Sequence, residues 1–207
     1  DETTLGLAYN NLAVMQIGLR EFEAAVQNLE LALPLMEAGF GREHVNIANV
    51  HTSISSSLIA LERYEDARGH LEQAQSIAAS LGPMTARLDP IIALNLARVE
   101  LHAGDLEAAA TLRRDGFASA EAAYGESHPL LAKFIAVEAK LALAKKRPAD
   151  ALEAVERGMP LANDPVTQAA LEMLRAQARA AQGDRSACAS ARDAARGLDA
   201  TLTDDPC

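Results

Sequence analysis

Tryptophan is absent from this 207-residue chain, and all aromatics together make up only 3% of it. Strands lean on aromatic and β-branched residues, so this poverty argues against a β-sandwich or barrel. Two cysteines, Cys188 and Cys207, are too few for a disulfide framework and point to a reducing compartment, with a bridge between them as the alternative to two free thiols. No apolar run approaches the roughly 18 to 20 residues that span a bilayer. The chain does not open on a charged-then-apolar leader, and an opening directly inside a periodic helix reads as a piece excised from something longer. Basic charge is also scarce. Nineteen Lys and Arg against 29 Asp and Glu leave a net charge of −10, which repels phosphate backbones and anionic lipid. Nucleic acid and membrane are therefore excluded as principal ligands.

Catalytic signatures are missing as well. Histidines 44, 51, 70, 102 and 128 are scattered, with no His-Glu-x-x-His and no Cys-x-x-Cys, so no metal site is expected. His44 and His128 fall in loops, where local bonding that shapes the turn is the expected role. No phosphate loop and no Gly-x-Ser-x-Gly elbow appear. The carboxylate pairs Glu21/Glu23 and Glu65/Asp66 fall on helix faces expected to meet solvent. No cofactor is implied, and the chain does not read as an enzyme.

What the chain has is good helix formers and a repeat. Residues 19–33 (LREFEAAVQNLELAL) are echoed 42 positions later by residues 61–75 (LERYEDARGHLEQAQ): Phe22 maps to Tyr64, Ala25 to Ala67, Leu29 to Leu71 and Ala32 to Ala74. Two further steps of 42 carry Ala67 to Ala109 and Ala109 to Ala151. A fifth, looser unit follows, in which Gly183-Asp184 resembles Gly104-Asp105 and Cys188 or Ala187 takes the small position. Apolar residues recur at three and four, as in Leu5, Tyr9, Leu12 and Met15, which is helical periodicity. Each unit is thus two helices around a short turn, at 18–20, 62–63, 104–105, 145–147 and 183–184. The predicted units are 3–44, 45–86, 87–126, 127–163 and 164–199, with 200–207 a frayed polar tail.

Prolines punctuate the units. The steps Asp89-Pro90, His128-Pro129 and Asp164-Pro165 open first helices, with Asp89 and Asp164 as N-caps, while Pro34 and Pro160 should kink or end second helices. The recurring alanine marks where the two helices of a hairpin cross, since an approach of about 8 to 10 Å tolerates only a small side chain.

The small residue followed four later by a bulky one and three later by another Ala resembles the second helix of the tetratricopeptide repeat, and Asn11-Leu12-Ala13 resembles its first. The 42-residue period, with loops 41–44 and 125–129 before the next helix, is similar to the kinesin light chain variety, also found in bacterial regulatory proteins. The resemblance spans residues 3–199 but lacks the family's apolar side chains at Arg113, Glu138 and Arg175. It implies an all-α, right-handed superhelical solenoid of about five helix-turn-helix repeats, whose first helices line a concave groove for a peptide.

Projection of the first helices onto that groove places Asn10, Asn11 and Val14 in unit one, Thr52, Ser53 and Ser56 in unit two, Asn95, Arg98 and His102 in unit three, and Lys133, Ala136 and Lys140 in unit four. Asn and Ser side chains can bond peptide backbone, and the resemblance implies that role for Asn10 and Asn11. Arg98 and Lys140 favour carboxylates or a phosphate. The expected function is a protein-interaction module for a peptide or partner domain, with an acidic segment preferred and a cytoplasmic location. The alternative is a regulatory or self-association array within a larger signalling protein, such as a bacterial serine/threonine kinase or transcription regulator. Homo-oligomers through the terminal repeats are compatible with either.

Overall fold

The computed structural model of the protein describes residues 1–203 and 205–207. Among them the regular structure is helical: α1 (Glu2–Gly18), α2 (Phe22–Phe40), α3 (Val45–Ala60), α4 (Tyr64–Leu81), α5 (Asp89–Ala103), α6 (Leu106–Tyr124), α7 (Leu130–Ala144), α8 (Pro148–Gly158), α9 (Pro165–Ala181) and α10 (Arg185–Leu198). Short 3-10 turns at Gly82–Thr85 and Met159–Leu161 follow α4 and α8. The helices divide between two compact units, Asp1–Gly104 and Asp105–Cys207.

Within the first unit α1 packs on α2, α2 on α3, α3 on α4 and α4 on α5. In the second, α6 packs on α7, α7 on α8, α8 on α9 and α9 on α10. Small residues occupy the crossings in phase. Ala25, Ala67, Ala109, Ala151 and Cys188 are fully buried, so Cys188 rather than Ala187 takes the fifth position. On the first helices Ala13, Ser55, Ala97, Ala139 and Ala178 form a matching series, also fully buried.

The turns inside the hairpins share one backbone device. Arg20, Glu62, Gly104, Lys146 and Gly183 all have positive φ, between 57° and 84°, and the first four stand 42 residues apart. Three of them carry a side chain in the left-handed region, at a cost of roughly 1 kcal/mol each. The loops leading into first helices use histidine. His44 Nδ1 accepts from the Asn46 amide at 3.1 Å, and His128 Nδ1 from the Leu130 amide at 3.2 Å. Each ring stacks on the last aromatic of the preceding helix, Phe40 and Tyr124, with centroids 4.8 and 4.4 Å apart.

Several local expectations change. Pro34 lies inside α2, which continues to Phe40, whereas Pro160 follows the end of α8 as expected. Asp164 caps α9 through the Thr167 amide, but α5 is capped at Leu88 and Asp89 falls in its first turn. Arg113, Glu138 and Arg175, at positions the family fills with apolar residues, form ion pairs instead. Glu138 receives Arg113 at 3.2 Å and Arg157 at 2.7 Å, and Arg175 reaches Glu172 at 2.6 Å and Glu156 at 3.1 Å. Charge on those faces is matched side by side, which offsets much of the desolvation cost.

The tail also departs from its reading as a frayed end. Cys188 and Cys207 form a disulfide, Arg192 holds Asp205 through both carboxylate oxygens at 3.1 Å, and Leu202 packs on the apolar cluster of Met173, Ala176, Ala191 and Ala195. The pairing removes the argument for a reducing compartment that rested on unpaired cysteines.

A histidine pair is the other feature that the scattered positions concealed. His51 of α3 and His70 of α4 meet at 2.9 Å between their Nδ1 atoms, so one ring donates and the other accepts, which requires the accepting ring to be neutral. Burial, then the neighbouring His70, pushes His51 down to about 4. Burial also lowers His70, against the pull of Glu30 and Asp66.

Two outcomes are expected. The unfolded chain protonates His51 near pH 6.5 and the folded one near pH 4, so stability falls as pH drops through that window. Urea denaturation should show wild type losing about 2 to 3 kcal/mol more than His51→Gln between pH 7.5 and pH 4. For the tail, the bridge closes a loop over a sequence separation of 19, so Cys207→Ser should destabilise the α9–α10 hairpin by about 2 to 3 kcal/mol. Hydrogen exchange of α10 under non-reducing conditions measures it.

Candidate partner-binding surface

The polar row of α3 is largely committed to its own helix. Thr52 Oγ1 donates to Ala48 O, Ser55 and Ser56 Oγ donate to Thr52 O, and Ser57 Oγ to Ser53 O, at 2.8 to 3.0 Å. Such back-bonding satisfies hydroxyls in a buried setting. Thr52 is 4% exposed and so presents little to a ligand, while Ser53 and Ser56 remain half-buried. Asn95 of α5 is buried too, and its amide donates to Ser56 Oγ at 2.8 Å. Ser56 and Asn95, both among the residues projected onto the groove, are therefore brought together, as a strut between α3 and α5.

One turn beyond Asn95 stands Arg98. It is half-buried, and desolvation lowers its affinity for the proton, against the pull of Tyr64. No hydrogen bond or ion pair to it is found among the described residues. The contrast with Arg68 of α4 is instructive, since that guanidinium binds Glu100 through both oxygens, at 2.5 and 3.2 Å. The carboxylate two residues after Arg98 is thus already engaged.

His102, a further turn along α5, is exposed and stacks on Tyr64, with centroids 3.8 Å apart and planes within 11°. The two rings line an open depression of about 230 Å³ together with Glu62, Arg63, Glu65 and Asp66. Arg63 is tied to Asp66 at 2.8 Å. Ser56, Asn95, Arg98, Tyr64 and His102 form the candidate site of the first unit. Tyr64 was missed as a site residue because its repeat position marks it as core.

The other predicted residues stand apart. Asn10 is half-buried and Asn11 exposed on α1, alongside exposed Val14. Lys133 and Lys140 are exposed on α7 in the second unit, with Ala136 half-buried between them. Lys133 lies near enough to Asp164 for its charge to help the capping hydrogen bonds outweigh burial and lower that carboxyl. Arg98 and Lys140 belong to different units, so the site is described for the first unit alone.

Among the described residues no group of three or more His, Cys, Asp or Glu is placed to hold a metal ion, and no helix is long and apolar enough to cross a membrane.

Comparison with known proteins gives a consistent result. Tetratricopeptide repeat profiles match residues 4–80 and 92–130. Among curated relatives, the clustered mitochondria protein homolog of Caenorhabditis elegans is 27% identical over 123 residues, and that of Caenorhabditis briggsae 25% over 118. The matched stretches are 59% and 57% of this chain but only 10% and 9% of those proteins. Solved structures with the same fold include BtubC (BKLC) from P. vanneervenii, with a TM-score of 0.67 at 16% identity over 100% of this chain and 85% of that one. A Podosopora anserina putative kinesin light chain with nearly identical TPR-like repeats gives 0.62 at 19% identity over 99% of each. With the 42-residue hairpins, the recurrent small crossings and both profile matches in hand, the chain belongs to the tetratricopeptide repeat family, in a fold shared with kinesin light chain-like arrays.

Proposed function

We propose that the first unit captures an acidic segment of a partner protein on the face formed by α3 and α5, with Arg98 as its charged anchor. Tetratricopeptide repeats are in general protein–protein interaction modules and a non-enzymatic scaffold family. The observation that carries the finer reading is the state of Arg98, a half-buried guanidinium with no carboxylate partner among the described residues. Partial burial weakens its hydration, so a carboxylate or phosphate arriving there gains a short, two-pronged, charge-assisted contact. Half-buried Ser53 on α3 supplies a hydroxyl for a peptide backbone, and the exposed edge of the Tyr64–His102 stack supplies flat apolar contact. The net charge of −10 opposes long-range approach of an acidic ligand, so selectivity rests on this short-range contact.

A second reading draws on the length of the curated relatives, which this chain covers by about a tenth. Under it the array docks on another segment of its own longer chain, using the same surface.

Titration with acidic, phosphorylated and basic peptides tests the proposal. Acidic or phosphorylated peptides should bind wild type, and Arg98→Glu should weaken them at least tenfold, about 1.4 kcal/mol, with helicity unchanged. Arg98→Lys should retain part of the affinity. Equal binding by wild type and Arg98→Glu would refute the anchor.

A further inference from the structure

The disulfide joins two cysteines with unequal roles. Cys188 stands in α10 at the small crossing position that Ala25, Ala67, Ala109 and Ala151 take in the other hairpins, and like them it is fully buried. A free thiol there is one more small apolar side chain, so the bridge adds stability to the α9–α10 hairpin without being needed for its shape. Cys207 is exposed, and the described residues of its segment, 199–203 and 205–207, form no helix. Reduction therefore leaves a crossing filled as in the other repeats, and a segment without its covalent fastening.

That segment lies on its own hairpin as a bound peptide would. Leu202, half-buried, packs on the cluster of Met173 and Ala176 of α9 and Ala191 and Ala195 of α10. Thr203 O accepts from Arg196 at 3.5 Å, and Asp205 takes two hydrogen bonds from Arg192, whose pull holds its carboxyl below the usual range. An apolar side chain, a backbone carbonyl and a carboxylate three residues beyond the first are thus the chemistry this face accepts. Without the bridge these contacts are slight, since an exposed ion pair contributes little and one leucine is only partly covered. An untethered peptide making them would bind on the order of millimolar, and a short tether supplies an effective concentration of about the same size. The reduced segment is then open for a large share of the time, whereas the bridged one stays closed.

We propose that residues 199–207 are a redox-released strap over a docking face on α9 and α10, which on opening takes a partner segment carrying an apolar side chain and a carboxylate three residues apart. Opening needs a dithiol reductant. One of its thiolates attacks the exposed Cys207 sulfur, and Cys188 leaves as a thiolate that takes up a proton. The second thiolate then displaces Cys207, so the reductant departs as a disulfide and the protein holds two thiols. The face lies in the second unit, and the inference stands or falls without the Arg98 site. Nuclear magnetic resonance of the full chain, oxidised and with dithiothreitol, tests it. Reduction should move the signals of residues 201–203 and 205–207 towards random-coil positions and leave those of α9 and α10 helical. Cys207→Ser should show the open state with or without reductant. A synthetic peptide of residues 199–206 should shift Met173, Ala191 and Arg192 in the double variant Cys207→Ser, Leu202→Asp, whose own strap is weakened. It should bind oxidised wild type at least tenfold more weakly, and adding Arg192→Glu to the double variant should abolish binding. A reduced segment that keeps its oxidised signals, or an α10 that unfolds on reduction, overturns the release. A peptide that binds the oxidised and open chains equally, or neither, overturns the docking face.

Discussion

Close helix approach is the constraint on which the rest of this protein depends. At each crossing a side chain no larger than alanine, serine or cysteine faces the partner helix: Ala13 and Ala25 in the first hairpin, Ser55 and Ala67 in the second, Ala139 and Ala151 in the fourth, Ala178 and Cys188 in the fifth. A third series, Ala32, Ala74, Gly116, Gly158 and Ala195, is buried as well. The glycine at 158 shows how little room remains, since a Cβ there would lie 2.9 Å from Ile135 Cγ2. Bulky residues such as Leu29, Leu71 and Leu171 then fill the space around each contact. The same economy explains how a chain without tryptophan packs the core of each unit: it relies on many short side chains at close range, where dispersion contacts are most numerous.

The hairpin pattern was legible because that constraint is periodic. A 42-residue echo of Ala25 at Ala67, Ala109 and Ala151 locates both the second helices and their buried face, and the turn positions follow. Features that residue type does not signal were not legible. Nothing in Arg20, Glu62 or Lys146 signals a left-handed backbone, because the demand comes from closing the hairpin and not from the residue. Arg113, Glu138 and Arg175 look like failures of an apolar pattern until their ion pairs on neighbouring helices are seen. The polar tail carries no helical signal, yet a disulfide and a two-pronged arginine contact hold it, both of them tertiary.

For the site, composition suggested polar side chains on the first helices, and the structure sorts them by what they already bind. The hydroxyls of Thr52, Ser55 and Ser57 are spent within α3, and Asn95 is spent on Ser56. Arg68 is spent on Glu100. Arg98 stands out through the absence of any such partner among the described residues, a property of neighbours that no residue type reveals. The histidine pair is the reverse case, two unremarkable positions nineteen apart that become a proton-sensitive contact only where α3 meets α4.

Replacing the small residue at one crossing tests the central claim most directly. Ala67→Leu inserts three carbons into a fully buried contact, and on this account it costs about 1 to 3 kcal/mol in urea denaturation. The control Gln73→Leu, on the exposed side of the same helix, should change stability by less than about 0.5 kcal/mol. Equal stability of Ala67→Leu and wild type would contradict the account, because the crossing would then have room that the repeat of small residues says it lacks.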